Sequence, residues 1–176
     1  MKQLLSAKQV ASALNRLYQH VSHGLPDHQP LAVIGIRTRG EVLSQRIVQW
    51  LRAERTSRID HGVLDITFYR DDLSMRKGMP LVRATEIDFD LDGKVVLLID
   101  DVLQTGRSVR AALDALTDFG RPKAIRLGVL IDRGGRELPI AADFVGRRVK
   151  VPDGQRVQLK LEETDGEEGA FILRRK

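Results

Sequence analysis

Short apolar runs alternate with amphipathic stretches along the middle of this chain of 176 residues. Leu31–Ile36 and Val95–Ile99 are continuous apolar runs, as expected for strands that are buried on both faces of a parallel sheet. Residues 41–51 and 108–119 repeat apolar side chains every three or four positions, which is the spacing of amphipathic helices. Strands that alternate with helices in this way predict an α/β fold, with a mostly parallel central sheet flanked by helices on both faces.

The two ends of the chain add weaker signals. Ser6 and Gln9 have the spacing of a capping box, and the apolar repeat after them predicts a helix that ends near residues 23–24. A chain of 176 residues has the length of one domain, so we expect a single domain over residues 1–176. Further short apolar runs predict strands at residues 61–69, 124–131, 144–151, 157–161 and 171–173.

The composition is that of an ordinary globular domain, with 42% hydrophobic and 30% charged residues. The chain has no cysteine, which excludes disulfides and thiolate metal sites and suits the cytoplasmic location that we expect. No run approaches the roughly 20 apolar residues of a membrane span, and the polar start lacks the apolar core of a signal peptide. We therefore expect no membrane partner.

The positive charge of the chain is concentrated in one segment. Residues 121–150 alone carry a net charge of +5, which equals the net charge of the whole chain. A basic surface suits a polyanionic partner such as RNA, although a merely solubilising face is the alternative interpretation.

The apolar run that ends at Ile99 leads directly into polar residues and then into a predicted helix. Two carboxylates at the end of a buried strand are costly without a partner, and the hydroxyls of a cis-diol are suitable donors to them. The turn before the helix offers free backbone N–H groups to an anion, and Gly106 lets that anion approach closely. Together they predict a ribose 5-phosphate site, although a carboxylate pair alone would also be explained as a helix cap. The segment reads Asp100, Asp101, Val102, Leu103, Gln104, Thr105, Gly106, Arg107 and Ser108.

Other phosphate-binding motifs are absent from the sequence, which contains neither Gly-x-x-x-x-Gly-Lys nor Gly-x-Gly-x-x-Gly. Residues 95–108 instead resemble the motif with which type I phosphoribosyltransferases bind 5-phosphoribosyl-1-pyrophosphate (PRPP). The resemblance implies that Asp100 and Asp101 hold the ribose hydroxyls and that Leu103–Ser108 hold the 5′-phosphate. It also implies the fold of that superfamily, with a flexible active-site loop at about 70–85 and a small hood within about 133–176.

Three further segments resemble the PyrR family of pyrimidine operon regulators and uracil phosphoribosyltransferases. Gly35–Gly40 resembles the family's pyrophosphate loop, in which Thr38, Arg39 and Gly40 match, although its arginines would also suit an ordinary surface turn. Asp65–Leu73 resembles the strand that enters the flexible loop, with Tyr69, Arg70 and Asp71 in that loop. A charged hairpin is the alternative there. Val129–Pro139 resembles the segment beside the base pocket.

This resemblance implies that the chain converts uracil and PRPP to UMP and pyrophosphate. It also implies that the chain binds the leader RNA of a pyrimidine operon when UMP or UTP is present. Through this binding it would regulate transcription by attenuation. It further implies Mg²⁺ bound through PRPP rather than directly by the protein, and a homodimer or a higher assembly. The catalytic residues would be Arg39, Asp100 and Asp101. The base pocket would contain Asp132, Arg133 and Val157. RNA contacts would come from Arg16, Arg136, Arg147 and Arg148.

Three positions and one short stretch depart from the pattern of the family. Gln104 stands where an aromatic residue is usual, Gly135 replaces a histidine, Ala141 replaces an arginine, and residues 148–153 replace an Asn-hydrophobic-Pro-Thr-Ser stretch. Three hypotheses therefore stay open: a uracil phosphoribosyltransferase, an RNA-binding nucleotide sensor with little catalysis, and a phosphoribosyltransferase for another base. The intact pyrophosphate loop favours an enzyme, because a sensor of UMP needs no pyrophosphate site.

Overall fold

The computed structural model describes residues 1–71 and 84–174 of the chain. Short 3-10 turns lie at Thr67–Tyr69 and Thr117–Phe119. The helices and strands follow one another as β1 (Lys2–Ser6), α1 (Ala7–Gly24), β2 (Leu31–Ile36), α2 (Arg39–Glu54), β3 (Ile59–Leu64), β4 (Val95–Leu103), α3 (Arg107–Leu116), β5 (Ala124–Asp132), β6 (Phe144–Arg148), β7 (Gln155–Lys160), α4 (Glu162–Asp165) and β8 (Gly169–Arg174).

A five-stranded sheet in the order β3-β2-β4-β5-β6 forms the centre of the described part of the chain. Every neighbouring pair in it is parallel. Helices α1 and α2 pack on one face of this sheet, and α3 packs on the other face. The α/β fold predicted from the alternation of strands and helices is therefore confirmed.

Both faces of the central strands are covered, which explains why their sequences are continuously apolar. All six residues of β2 are buried, and Leu97, Leu98 and Ile99 of β4 have no exposed surface. Burying each such side chain contributes roughly 1.5–3 kcal/mol, so these two strands provide much of the driving force for folding.

The predicted capping box is present at the start of α1. The Gln9 N–H donates to Ser6 Oγ at 3.4 Å, and the Ser6 N–H donates to Gln9 Oε1 at 2.9 Å. This arrangement satisfies two backbone donors at the helix start and contributes about 1 kcal/mol.

A second, antiparallel sheet contains the strands β1, β8 and β7 in that order, and we call this sheet together with α4 the hood. The N-terminal strand β1 was not predicted, because Lys2–Ser6 shows no clear alternation of apolar and polar residues. The strand predicted at residues 144–151 is shorter than expected, ends at Arg148 and joins the central sheet as β6.

The strand predicted over residues 61–69 is wrong in its second half. β3 ends at Leu64, because the carboxylate of Asp65 accepts hydrogen bonds from the N–H of Thr67 at 2.8 Å and from its hydroxyl at 2.5 Å. Such a local side-chain contact competes with strand pairing and favours a turn. Most of the predicted active-site loop at residues 70–85 lies outside the described residues.

Within residues 1–71 and 84–174, no helix combines the length and the apolar character that are required to cross a bilayer.

Candidate active site

The carboxyl ends of β2, β3 and β4 meet around a cavity of about 530 Å³. Parallel strands direct their carboxyl ends to one edge of the sheet, and ligands of such folds bind there. Thr38 and Arg39 from the end of β2, Asp100 and Asp101 from β4, and Ser108 from α3 all line this cavity. The structure therefore brings together the two segments that the sequence predicted to bind the ribose and the pyrophosphate.

The carboxylates of Asp100 and Asp101 are held at the end of β4 by backbone N–H groups. Asp100 Oδ1 accepts from the Asp101 N–H at 2.9 Å, and Asp101 Oδ1 accepts from the Val102 N–H at 2.7 Å. Burial, together with the charge of Asp101, raises the pKa of Asp100 well above its usual value. Burial also raises the pKa of Asp101, although the Val102 N–H and nearby Arg39 act in the opposite direction. Such a pair attracts hydroxyl donors or a cation.

The turn between β4 and α3 forms the second part of the site. Gly106 precedes the helix with a φ of +92°, a left-handed conformation that favours glycine. The N–H of Arg107 donates to the Thr105 hydroxyl at 3.3 Å. A cavity of about 260 Å³ adjoins this turn and also contacts Arg156 and Val157 of β7. Ser108 and Val109 of the first turn of α3 line this cavity, and the backbone N–H groups at such a helix start suit an anion.

The predicted pyrophosphate loop packs directly against the end of β4. A Cβ at Gly40 would lie 2.6 Å from the carbonyl oxygen of Ile99, so only glycine allows this approach. The peptide bond between Arg37 and Thr38 is cis. Arg37 contacts Glu41 at 3.3 Å and Glu86 at 2.5 Å.

The side chain of Arg39 contacts an acidic residue from the hood. Its Nη2 lies 2.6 Å from Oδ1 of Asp165, and its Nε lies 3.1 Å from Oδ2 of the same carboxylate. Arg39 also lines the larger cavity. Sequence reasoning did not identify Asp165, because it lies 126 positions away from Arg39 and belongs to no local motif.

The residues predicted to enter the active-site loop lie along α3. The Tyr69 hydroxyl donates to Asp118, just after the end of the helix, and Arg70 Nη1 lies 3.4 Å from Ser108 Oγ. Asp71 Oδ2 accepts from Arg107 Nη1 at 2.6 Å. The contacts of Arg70 and Asp71 connect the N-terminal end of the predicted loop to the start of α3.

The three predicted base-pocket residues have different environments. Val157 lines the smaller cavity. Asp132 pairs with Arg136 at 2.8 Å and accepts from the Gly134 N–H at 3.0 Å. Arg133 is buried, and its guanidinium donates to the carbonyls of Gln155 at 2.5 Å and Val151 at 3.2 Å. The side chain of Arg133 therefore ties the end of β5 to the hood.

Three of the four predicted RNA-contacting arginines lie together. Arg16 of α1 and Arg147 and Arg148 of β6 line a cavity of about 380 Å³ with His20. The helix approaches the strand closely here, since a Cβ at Gly146 would lie 2.5 Å from the carbonyl oxygen of Ala13. Arg136 lies apart, where it donates to the carbonyls of Gln104 and Ile140, both at 2.9 Å.

Comparison with known proteins shows which family the chain belongs to. The sequence profile of the phosphoribosyl transferase domain matches residues 1–160. The bifunctional protein PyrR of Roseiflexus sp. (strain RS-1) is 50% identical over 174 residues, which cover 98% of this chain and 95% of the relative. This chain belongs to the PyrR family. The bifunctional protein PyrR of Thermus thermophilus is 47% identical over 173 residues, which cover 98% of this chain and 96% of the relative.

Solved structures of more distant proteins share the fold of this PyrR-family chain. A hypoxanthine-guanine phosphoribosyltransferase from Bacillus anthracis superposes with a TM-score of 0.71 at 16% identity, covering 98% of both chains. The hypoxanthine phosphoribosyltransferase of Trypanosoma cruzi gives a TM-score of 0.69 at 18% identity, covering 99% of this chain and 97% of that chain. The type I phosphoribosyltransferase fold is thus confirmed.

Two departures from the usual PyrR sequence are neighbours in space. A Cβ at Gly135, whose φ is +77°, would lie 3.7 Å from Cγ of Gln104. Both residues border the turn that leads into α3. Ala141, the third departure, is exposed. The absence of a side chain at Gly135 and the polar side chain of Gln104 therefore alter the same edge of the candidate site.

Proposed function

We propose that this PyrR-family chain transfers the phosphoribosyl group of PRPP to uracil and also acts as a nucleotide-dependent RNA-binding regulator of a pyrimidine operon. One observation carries the enzymatic part of this proposal. A carboxylate pair, an anion-binding helix start and the loop that contains Arg39 surround connected space at one edge of the sheet. These are the three groups that PRPP requires: one for the ribose, one for the 5′-phosphate and one for the pyrophosphate.

In the proposed reaction, N1 of uracil forms a bond to C1 of the ribose while the bond from C1 to pyrophosphate breaks, and the proton of N1 is released to solvent. The protein mainly has to hold the reactants in line and to stabilise the departing negative charge. Asp100 and Asp101 would accept hydrogen bonds from the ribose hydroxyls, and residues 103–108 would bind the 5′-phosphate. Arg39, with backbone N–H groups of the same loop, would stabilise the pyrophosphate.

A magnesium ion carried by PRPP fits the residues that are present. Oxygen atoms of PRPP would coordinate the ion, and the carboxylates of Asp100 and Asp101, which line the cavity beside the pyrophosphate loop, favour a cation nearby. When bound, the ion would neutralise charge on the pyrophosphate.

The first test is the release of pyrophosphate from PRPP and Mg²⁺, with and without uracil. We expect release that depends on uracil, together with formation of UMP. Hypoxanthine and orotate are the competing substrates, and faster turnover with either would show a phosphoribosyltransferase for another base. Tight binding of UMP without turnover would instead favour a nucleotide sensor. The variant that combines Asp100→Asn with Asp101→Asn should not use PRPP, and unchanged turnover in it would contradict our assignment of the site.

The cluster of Arg16, Arg147 and Arg148 supports the regulatory part of the proposal. The three residues are exposed on α1 and β6 and surround one cavity, so several phosphates of a folded RNA can be contacted together. Binding of leader RNA should strengthen when UMP or UTP is added and weaken steeply as salt is raised. Binding that is independent of both nucleotide and salt would contradict this role.

Three further expectations belong to the same proposal. Residues 1–176 form one phosphoribosyltransferase domain, the chain assembles as a homodimer or a higher oligomer, and it works in the cytoplasm. Sedimentation of the purified chain at several concentrations tests the assembly directly.

A further inference from the structure

The hood supports the pyrophosphate loop through one ion pair. Arg39 and Asp165 form two parallel contacts of 2.6 and 3.1 Å, and their side chains are 26% and 14% exposed. A guanidinium has five N–H donors, and this bidentate contact uses one from Nε and one from Nη2. The Nη1 edge remains for a ligand in the cavity that Arg39 lines.

The carboxylate of Asp165 is itself fixed by its own segment. Asp165 Oδ2 accepts from the Leu161 N–H at 2.9 Å and from the Thr164 hydroxyl at 2.7 Å. Burial acts against ionisation, but the hydrogen bond from Arg39 and those from Leu161 and Thr164 lower the pKa of Asp165 to about 2. The carboxylate therefore stays charged and keeps its orientation at neutral pH.

A second arginine fastens the same segment to α2. Arg46 Nη2 lies 2.7 Å from Glu163 Oε2 and 2.9 Å from Glu168 Oε2. Arg46 and Arg39 lie two turns apart on one helix, so the segment that carries Asp165 is attached at two points. The position of Asp165 relative to α2 is thereby fixed independently of Arg39.

The geometry points to Asp165 as a positioning residue for PRPP, which holds the Nε edge of Arg39 so that its Nη1 edge faces the departing pyrophosphate. This inference rests on the proposed phosphoribosyl transfer, and Asp165 acts only through Arg39. An arginine that is oriented before the ligand arrives loses less side-chain freedom on binding and stabilises the developing charge without rearrangement.

The variant Asp165→Asn keeps the shape of the side chain and removes its charge. We expect kcat/KM for PRPP to fall by about 10- to 100-fold, the range expected for a misplaced catalytic group. The dissociation constant of PRPP should rise, whereas that of UMP, which has no pyrophosphate, should change by less than about 2-fold. In a cycle with Arg39→Ala, the double variant should be no worse than Arg39→Ala alone, because both changes remove the same contact.

Two control variants separate positioning from general loosening. The first control, Asp143→Asn, makes the same chemical change. Like Asp165, Asp143 accepts hydrogen bonds from a backbone N–H (Leu127, 2.8 Å) and from an arginine (Arg126, 3.1 Å). It directly precedes the edge strand β6 and lies away from the cavity. Glu163→Gln weakens the attachment of the hood and leaves Asp165 intact. Both should keep kcat/KM for PRPP within about 2-fold of the wild type.

The results of these measurements distinguish the inference from the proposed function. If Arg39→Ala loses activity and Asp165→Asn does not, the positioning role is wrong and the enzyme stands. If Asp165→Asn tightens PRPP binding, Asp165 competes with pyrophosphate for Arg39, which also overturns the inference. If the wild type shows no turnover with any base, the proposed function fails, and the PRPP and UMP dissociation constants still decide the role of Asp165. An additive double variant would indicate a merely structural effect and would overturn the inference.

Discussion

The carboxylates at the end of β4 are buried side by side at a cost to stability. Asp100 is only 8% exposed, and the charge of Asp101 is next to it. A folded-state pKa above the ordinary value of 3.8 means that the folded protein holds this proton more tightly than the unfolded chain does. This contribution to stability is therefore fully present at low pH and is lost as the pH rises through the folded-state pKa.

Replacing this carboxyl group with an amide should stabilise the protein at neutral pH. We expect Asp100→Asn to raise the free energy of unfolding and the Tm at pH 8, because it removes a buried carboxylate charge beside Asp101. The gain should shrink as the pH falls, because protonation of Asp100 removes the same charge from the wild type. Thermal unfolding from pH 4 to pH 8 measures this, with Asp143→Asn as a control. An equal difference in Tm at both ends of the range would contradict the raised pKa.

The glycine in the pyrophosphate loop is required for close packing rather than for an unusual φ. In Gly40→Ala the new Cβ would lie 2.6 Å from the carbonyl oxygen of Ile99, and backbone atoms cannot move aside easily. We expect a loss of about 1–3 kcal/mol in stability and at least about a 10-fold loss in kcat/KM for PRPP. Gln45→Ala, on the exposed side of the same helix, is the control. Wild-type kinetics in Gly40→Ala would show that the loop tolerates displacement.

At the scale of elements, one buried arginine helps to join the hood to the central sheet. Arg133 connects the end of β5 to the carbonyls of Gln155 and Val151 beside β7, and it is only 5% exposed. Without this guanidinium both carbonyls lose a hydrogen-bond donor.

We expect Arg133→Met to destabilise the protein by about 2–3 kcal/mol, since hydrogen bonds to charged groups lie in this range. Backbone amides of β7 should exchange faster with solvent, while those of β2 and β4 should keep their protection. Hydrogen exchange measured by mass spectrometry tests this. Arg126→Met removes an exposed arginine from the same strand and should have little effect. Faster exchange across the whole sheet would show that the hood is not a separate unit.

The sequence predicted most of the helices and strands, but it did not predict every contact between residues that are distant in the chain. Alternation of apolar runs and amphipathic stretches predicts the central sheet, because each signal lies within one element. The end of β3 was missed because the side chain of Asp65 competes with strand pairing. The candidate PRPP motif was predicted from the sequence because it is contiguous, whereas Asp165 and Arg156 reach the candidate site through pairing of distant strands. Such long-range pairing leaves no periodic signal near the residues that it brings together.

At the scale of the whole molecule, the positive charge of residues 121–150 does not form one continuous surface. In the segment 121–150, Arg126 pairs with Asp143, Arg136 pairs with Asp132, and Arg133 is buried. Arg147 and Arg148 remain exposed beside Arg16. The net charge of the segment therefore overstates the surface that it offers to a polyanion.

Removing the exposed pair should weaken RNA binding and its dependence on salt. For the variant that combines Arg147→Ala with Arg148→Ala, we expect the slope of log K against log salt to decrease by about 1–2, since each phosphate contact contributes about 0.7–0.9. Transfer of phosphoribosyl groups should be unchanged. The control is Lys123→Ala in the same charged segment. Lys123 lies just before β5, at the opposite end of the strands from Arg148, so its replacement should leave the slope unchanged. An unaltered slope in the arginine variant would exclude this cluster from the RNA interface.

The pairing of β1 with β8 joins residues from the two ends of the chain, since Lys2 lies opposite Ile172. During synthesis on the ribosome, the first strand emerges early but has no neighbour until β8 has been translated. The central sheet can form once β6 has emerged, whereas the hood, and with it the contact between Asp165 and Arg39, also requires β7, α4 and β8. The nascent chain therefore acquires its scaffold before it acquires a finished catalytic site.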